Sequence, residues 1–244
     1  MLGVCRTLSF ANSTLGIRME DFTMKDNEIL CRVDHTLLKA TASRGEILAL
    51  CNEAVLYNTA AVCIPPSYVK MVHTEFPKKP VIATVIGFPL GYSVTPAKAA
   101  ETEDALASGA DEIDMVINIA DVKNGYFDFV LQEISLLKKI CGKKILKVII
   151  ETCYLTEEEK IRMCKIVSEA GADYIKTSTG FGTSGATLAD IALFKKHIGP
   201  GVKIKAAGGI KTREDLEAFI TAGADRIGTS SAVKLLTGSE AAGY

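Results

Sequence analysis

Eight short runs rich in β-branched residues punctuate this chain, and between consecutive runs lies a longer segment with helical features. The runs are Arg32–His35, Thr59–Ile64, Val81–Gly87, Glu112–Asn118, Ile145–Thr152, Tyr174–Ser178, Val202–Ala206 and Arg226–Ser230. Parallel strands can be joined only through crossover connections, so a βαβα alternation restricts the chain to a parallel sheet covered by helices. The runs are nearly continuous in apolar residues, as expected of strands buried on both faces. Eight such units in 244 residues predict a closed (β/α)₈ barrel, an α/β fold in a single domain, with an open doubly wound sheet as the other arrangement.

The intervening segments carry helix signals of their own. Ser43 with Glu46 and Thr156 with Glu159 have capping-box spacing, in which hydroxyl and carboxylate satisfy each other's orphan amides. Thr95 followed by Pro96 reads as an N-cap and first helical residue. Phe127, Val130, Leu131, Ile134 and Leu137 recur at helical spacing and make one apolar stripe. The tripeptide Gly-Ala-Asp recurs at Gly109–Asp111, Gly171–Asp173 and Gly223–Asp225, each time between a helix and the fourth, sixth or eighth strand. Its glycine suits a helix C′ position, and a reused turn fits a cyclic array; the repeat is assigned no chemistry.

Composition serves mainly to exclude. A net charge of −1 leaves no global field for nucleic acid or anionic lipid, and no apolar run approaches the ~18 residues of a membrane span. The lysine pairs are scattered and read as solvated helix ends. Seven cysteines without a Cys-x-x-Cys pair read as free thiols in a reducing, cytoplasmic setting. His35, His73 and His197 show no ligand spacing, so neither a metal nor another cofactor is expected. The first nineteen residues hold Arg6 and Arg18 and no acid, which resembles a transit segment. The plainer reading is an extension over residues 1–28, disordered or partly helical, with Met19 or Met24 as internal starts, ahead of a catalytic unit over 29–244.

The informative residues are the charges inside apolar strands. Lys147, Lys176 and Lys205 fall mid-strand on the fifth, sixth and seventh runs, with Asp114 on the fourth and Glu151 on the fifth. A buried lysine needs compensation, and in a barrel these side chains can converge at the C-terminal ends of the strands, where barrel active sites gather. Lys147 and Glu151 fit a structural network or catalysis equally. Lys176 and Lys205 point to chemistry: burial and a neighbouring cation both favour a neutral amine, the state that attacks a carbonyl. The turns Gly208-Gly209-Ile210-Lys211 and Gly228-Thr229-Ser230-Ser231, on consecutive strands and each followed by a short helix, suit a phosphate.

At these residues the chain resembles the deoxyribose-phosphate aldolases. The resemblance runs from about Val33 to the C-terminus. It is carried by Leu146-Lys-Val-Ile-Ile-Glu-Thr152, Tyr174-Ile-Lys-Thr-Ser-Thr-Gly180, Asp111-Glu-Ile-Asp-Met-Val116 and Lys205-Ala-Ala-Gly-Gly-Ile-Lys211, with Ala60-Ala-Val-Cys-Ile-Pro65 and Val33-Asp-His-Thr-Leu37. The resemblance implies reversible, metal-independent cleavage of 2-deoxy-D-ribose 5-phosphate to D-glyceraldehyde 3-phosphate and acetaldehyde through a lysine Schiff base. It implies Lys176 as the Schiff-base lysine, Lys205 as the lysine that lowers its pKa, and Asp114 as the acid relaying protons. Asp34, Cys63, Lys147 and Thr177 would line the substrate site, although Cys63 taken alone reads better as a core cysteine. Gly180, Gly208, Gly209, Lys211, Gly228 and Ser230 would hold the phosphate. Where some members carry a lysine after Ser-Thr-Gly, this chain has Phe181, which shifts the phosphate onto backbone amides and Lys211. The terminal Tyr244 matches a tyrosine that reaches the site from a mobile tail. A homo-oligomer, dimer or tetramer, is implied as well. Another lysine-dependent barrel lyase, or a non-catalytic barrel that binds phosphorylated ligands, remains open on sequence alone.

Overall fold

A computed structural model describes residues 24–238. Strands β1 (Val33–Thr36), β2 (Ala61–Ile64), β3 (Ile82–Ile86), β4 (Glu112–Val116), β5 (Ile145–Ile149), β6 (Tyr174–Lys176), β7 (Lys203–Ala207) and β8 (Arg226–Thr229) pair in parallel in chain order, and β8 returns to β1. The barrel is therefore closed, as the alternation predicts. Around it, in chain order, run α1 (Asp26–Leu30), α2 (Arg44–Leu56), α3 (Val69–Glu75), α4 (Thr95–Ala107), α5 (Ile119–Lys123), α6 (Phe127–Cys141), α7 (Glu157–Glu169), α8 (Leu188–His197), α9 (Arg213–Ala222) and α10 (Ala232–Thr237). Helix α1 sets Ile29 and Leu30 into the core, and Arg213 on α9 ties it down through Asp26 at 2.6 Å and the Met24 carbonyl at 2.6 Å. Helix α1 thus spans the expected boundary at residue 29. Residues 1–23, with most of the expected extension, lie outside the described residues, as does Tyr244.

Both capping boxes form as predicted, at Ser43 and Thr156, and Thr212 makes a further one with Asp215. Thr95 corrects the expectation. The N-cap of α4 is Val94, and the Thr95 hydroxyl instead donates to Glu133 Oε1 on α6 at 3.0 Å. Nearby, Lys98 is fully buried against Glu133 (2.7 Å) and the Val116 carbonyl (2.9 Å), joining α4 to α6 and β4. On α6 the predicted stripe is real: Val130, Ile134 and Leu137 are buried, and Phe127 and Leu131 pack beside them.

The recurring Gly-Ala-Asp has a structural purpose. Each glycine has positive φ, and each aspartate clamps the strand before its own. Asp111, Asp173 and Asp225 donate their amides to the carbonyls of Ile82, Leu146 and Ile204 at 2.8, 3.0 and 2.9 Å. Their carboxylates accept the amides of those same residues at 3.2, 2.8 and 2.9 Å. The three clamps join β3 to β4, β5 to β6 and β7 to β8.

Alternation along the strands divides two interiors. Outward residues such as Val62, Ile113, Met115, Val148 and Ile175 share one large core with helix residues such as Ile134, Met163, Phe194 and Leu216. Inward residues on β2 and β3 form a small separate cluster, Ala61, Cys63, Ala83 and Val85, beneath Leu38 and Phe88. Across the interior from it, on β1 and β4 to β8, the inward positions bring in charges that are buried or nearly so. Strands β4, β5 and β6 end two residues earlier or more than the sequence suggests, at Val116, Ile149 and Lys176. Beyond these points the backbone leaves the ladder to build the walls of a cavity.

Candidate active site

Three carboxylates and four cations meet inside the barrel. Asp34 on β1, Glu112 and Asp114 on β4, Lys147 on β5, Lys176 on β6, Lys205 on β7 and Arg226 on β8 come from six strands, all of them buried or nearly so. In-register pairing sets Asp114 beside Lys147, Lys176 beside Lys205 and Lys205 beside Arg226, so the strands deliver these groups to neighbouring heights. Lys147 touches three carboxylates: Glu112 at 2.5 Å, Asp114 Oδ1 at 2.7 Å and Asp34 at 3.4 Å. Lys205 touches Asp34 and, at 2.7 Å, Asp114 Oδ2. Arg226 bridges Asp34 (2.5 Å) and Glu112 (3.1 Å). Lys176 has one carboxylate, Asp114 Oδ2 at 2.8 Å, shared with Lys205.

This inequality decides where a proton is most readily lost. Burial alone would push every lysine here towards neutrality. For Lys147 and Lys205 that penalty is outweighed by Asp114 and Asp34, with Glu112 adding to the hold on Lys147, and both amines are shifted above the ordinary lysine range. For Lys176 burial dominates and the charge of Lys205 adds to it, against the pull of Asp114, so its pKa falls. Asp34 and Asp114 are buried too, which alone would raise them, but the facing cations hold both below the usual carboxylate range. The arrangement is three cations neutralising three carboxylates, plus one amine that can be neutral.

Above this network lies a cavity of about 680 Å³. Of the three lysines in the network, Lys176 alone lines it. One wall is made by Gly208 and Gly209 (φ +83° and +76°), Gly228, Ser230 and Lys211, with Gly180 (φ +88°) packed beside Gly208, where a Cβ on Gly208 would lie 3.4 Å from the Gly180 Cα. Among the described residues no aspartate or glutamate lines this space, whereas Lys39, Lys211 and Lys234 do. Lys39 is paired with Glu46 at 2.8 Å. The amides of Lys211 and Thr212 are taken by Asp215 at 3.0 Å each. The amides of Gly209 and Ser230 have no protein acceptor among the described residues.

The residues expected at the substrate site therefore separate into two levels. Lys176, Gly180, Gly208, Gly209, Lys211, Gly228 and Ser230 reach the cavity. Asp34, Cys63, Lys147, Asp114, Lys205 and Thr177 lie below it with no exposed surface. Thr177 commits its hydroxyl to β7, donating to the Ala207 carbonyl at 3.2 Å and accepting its amide at 3.1 Å. Cys63 sits in the small apolar cluster, where burial pushes its thiol up despite Lys205 and Lys176. Glu151, weighed for the lysine network, is outside it and bonds Thr179 instead.

Sequence reasoning missed Glu112 and Arg226, which complete the network from the starts of their strands. The signal was parity: Glu112 lies two residues before Asp114 on one face. It also missed Lys234 and Gly185. A Cβ on Gly185 would lie 2.1 Å from the Gly208 carbonyl oxygen, so the loop after β6 seats on the Gly208-Gly209 turn only because that residue is glycine. Gly228 has a second use: a Cβ there would stand 3.0 Å from Lys205 Cε. Among the described residues no group of three or more His, Cys, Asp or Glu side chains is arranged to hold a metal.

Comparison with known proteins agrees with this geometry. Residues 29–237 match the DeoC/LacD family of aldolases. The chain is 65% identical to a deoxyribose-phosphate aldolase of Clostridium botulinum (strain Eklund 17B / Type B) over 91% of its length and all of that protein. It is 57% identical to one from Clostridioides difficile (strain 630), covering 88% of the chain and 99% of the relative. Among solved structures, an aldolase designated QR15 superposes with a TM-score of 0.83 at 39% identity, over 86% of this chain and 95% of the other. A deoxyribose phosphate aldolase of Aeropyrum pernix, described as a tetramer, does so with a TM-score of 0.79 at 31% identity, over 87% and 91%.

Proposed function

The chain belongs to the DeoC/LacD family of aldolases, and on that premise we propose that it cleaves 2-deoxy-D-ribose 5-phosphate reversibly, with Lys176 as the Schiff-base nucleophile. The observation that carries the assignment is the asymmetry among the buried cations. Lys176 lines the cavity and has half of one carboxylate oxygen, while its neighbours are held charged by several.

In this reading neutral Lys176 Nζ adds to the C1 aldehyde of the open-chain sugar phosphate. Asp114 and Lys205, working through water, move the protons as the carbinolamine loses water to become an iminium. The C3 hydroxyl gives up its proton, the C2–C3 electron pair passes to C2 and the iminium nitrogen, and D-glyceraldehyde 3-phosphate departs. The enamine left behind takes a proton at C2, and hydrolysis releases acetaldehyde and restores the amine. Positioned acid–base groups contribute about 10² to 10⁴ in such steps. Tyr244 is assigned a proton relay from the tail. The substrate phosphate is assigned to the wall of Gly180, Gly208, Gly209, Gly228 and Ser230, with Lys211 and Lys234 supplying positive charge where Phe181 cannot.

The same reading makes the protein a metal-independent cytoplasmic enzyme and a homo-oligomer, dimer or tetramer. Six free thiols among the described residues support a reducing compartment, and the tetrameric relative supports assembly. Residues 29–244 are proposed as the catalytic unit. The test is borohydride trapping with acetaldehyde in excess EDTA. An ethyl group fixed on Lys176 is expected; labelling elsewhere, or none until a divalent metal is restored, would refute the mechanism.

A further inference from the structure

Glu151 sits where the backbone does not suit it. Its φ of 51° and ψ of 68° are left-handed, a conformation that costs a residue with a side chain and that glycine or asparagine adopts more readily. A glutamate there implies that its carboxylate is needed, since strain of this kind persists where the surroundings demand it. The carboxylate is 2% exposed as part of its residue, and the turn after β6 wraps around it. Both oxygens accept the Thr179 amide at 3.2 Å, and Oε2 also accepts the Thr179 hydroxyl. The hydroxyl oxygen in turn accepts the Phe181 amide at 3.0 Å. Gly182 closes the wrap: a Cβ there would lie 2.8 Å from Cys153 Sγ and 3.1 Å from the Glu151 carboxyl carbon. What this chain of bonds holds is a wall of the cavity, Thr179, Gly180 and Phe181, with Phe181 edge-on to Phe88 at 5.3 Å between centroids.

We propose that Glu151 is a positioning residue for the substrate phosphate: from the end of β5 it folds the Thr179–Gly182 turn into the shape that completes the phosphate side of the cavity. The proposal rests on the reaction assigned above. Glu151 touches neither the Lys176 amine nor any other member of the charged network among the described residues, so it acts on binding rather than on carbon–carbon cleavage.

The carboxylate offers two acceptor oxygens to the Thr179 amide and hydroxyl; a glutamine keeps one of them and sets an N–H donor where the other stood. Burial raises the pKa of Glu151, opposed by the Thr179 bonds, the Lys176 charge and Cys153, the groups that face it. Acidification through that raised pKa protonates Glu151, turns one acceptor into a donor and loosens the turn.

The test compares the wild-type chain with Glu151→Gln and Glu151→Ala, using deoxyribose 5-phosphate and unphosphorylated deoxyribose across pH. Losing one charge-assisted hydrogen bond corresponds to roughly tenfold or more in binding. The expected result for Glu151→Gln is a KM for the phosphorylated substrate raised by that order and no longer rising towards acid pH. KM for deoxyribose and trapping of acetaldehyde on Lys176 should stay at wild-type values. Inorganic phosphate, followed by calorimetry, should bind the variant more weakly by a similar factor. Calorimetry reads the wall whether or not the sugar turns over, so a wild-type chain that binds phosphate but leaves deoxyribose 5-phosphate intact would sink the reaction and not this assignment. Unchanged KM and phosphate affinity in Glu151→Gln, or equal losses with both sugars and in trapping, would overturn it.

Discussion

Lys176 and Lys205 donate to the same atom, Oδ2 of Asp114, from 2.8 and 2.7 Å. One carboxylate oxygen cannot hold two ammonium groups as well as it holds one. Lys205 has Asp34 in reserve, so the amine on the cavity side is the one that gives way.

Replacing Lys205 with leucine removes the competitor and leaves Asp114 free to favour a charged Lys176. Its pKa should rise, so the acidic limb of the kcat/KM profile moves to higher pH, with a strong loss of kcat near neutrality. Each unit of displacement corresponds to about 1.4 kcal/mol. Burial is the larger cause of the depression and survives the change, so the shift should be partial. A pH–rate profile checks this; a lowered plateau with an unmoved limb would mean that Lys205 acts only in proton transfer.

Lys147 and Lys176 should respond in opposite ways to methionine. Lys147 neutralises three buried carboxylates and does not reach the cavity. Breaking a buried network from one side costs about 3–5 kcal/mol, so Lys147→Met should unfold at markedly lower denaturant. Lys176→Met removes an amine already inclined to neutrality; it should abolish turnover while keeping close to wild-type stability. Equilibrium unfolding of both variants decides it, and equal destabilisation would contradict the asymmetry.

Gly209 has φ +76° and little around it: the nearest atom to a Cβ placed there would be Gly185 Cα, at 3.9 Å. Gly209→Val therefore strains the turn and intrudes on the cavity without crushing a neighbour. KM for deoxyribose 5-phosphate should rise far more than KM for deoxyribose. Equal damage in steady-state kinetics with both sugars would make the turn purely structural.

Strands were legible because β-branched runs and cap spacings act locally, and the lysines because a charge in an apolar run is conspicuous. Strand ends were less so. The Glu151 and Ser178 side of the barrel reads as a continuation of β5 and β6, yet there the chain departs to wrap Thr179 around a carboxylate, a long-range bond that no local propensity encodes. Arg226 and Glu112 look like surface charges at strand starts; their burial depends on closure, which brings β8 and β4 to face across the interior. Thr95 misses the cap position by one residue: it stands inside the first turn behind Val94, with its hydroxyl directed to Glu133, a partner distant in sequence.

The aspartate clamps make the joints of this ring unequal. Between β3 and β4, β5 and β6, and β7 and β8, the entry of the strand is bolted by a reciprocal pair of bonds. The junction of β4 with β5 has no such bolt; besides its ladder it carries an exposed ion pair from Lys144 to Asp111, a contact of the kind that contributes little, and the buried bonds of Lys147 to Glu112 and Asp114. A chain severed at Gly142 would keep every bolt intact, β3–β4 in one piece and β5–β6 with β7–β8 in the other, with Lys147, Lys176 and Lys205 still to be met by Glu112 and Asp114 across the cut. Severed at Gly171, the same chain would part Asp173 from Leu146. The recurring tripeptide, with no part in the chemistry, marks the strand entries that are bolted, and leaves the β4–β5 joint to the buried charges that Lys147 brings to it.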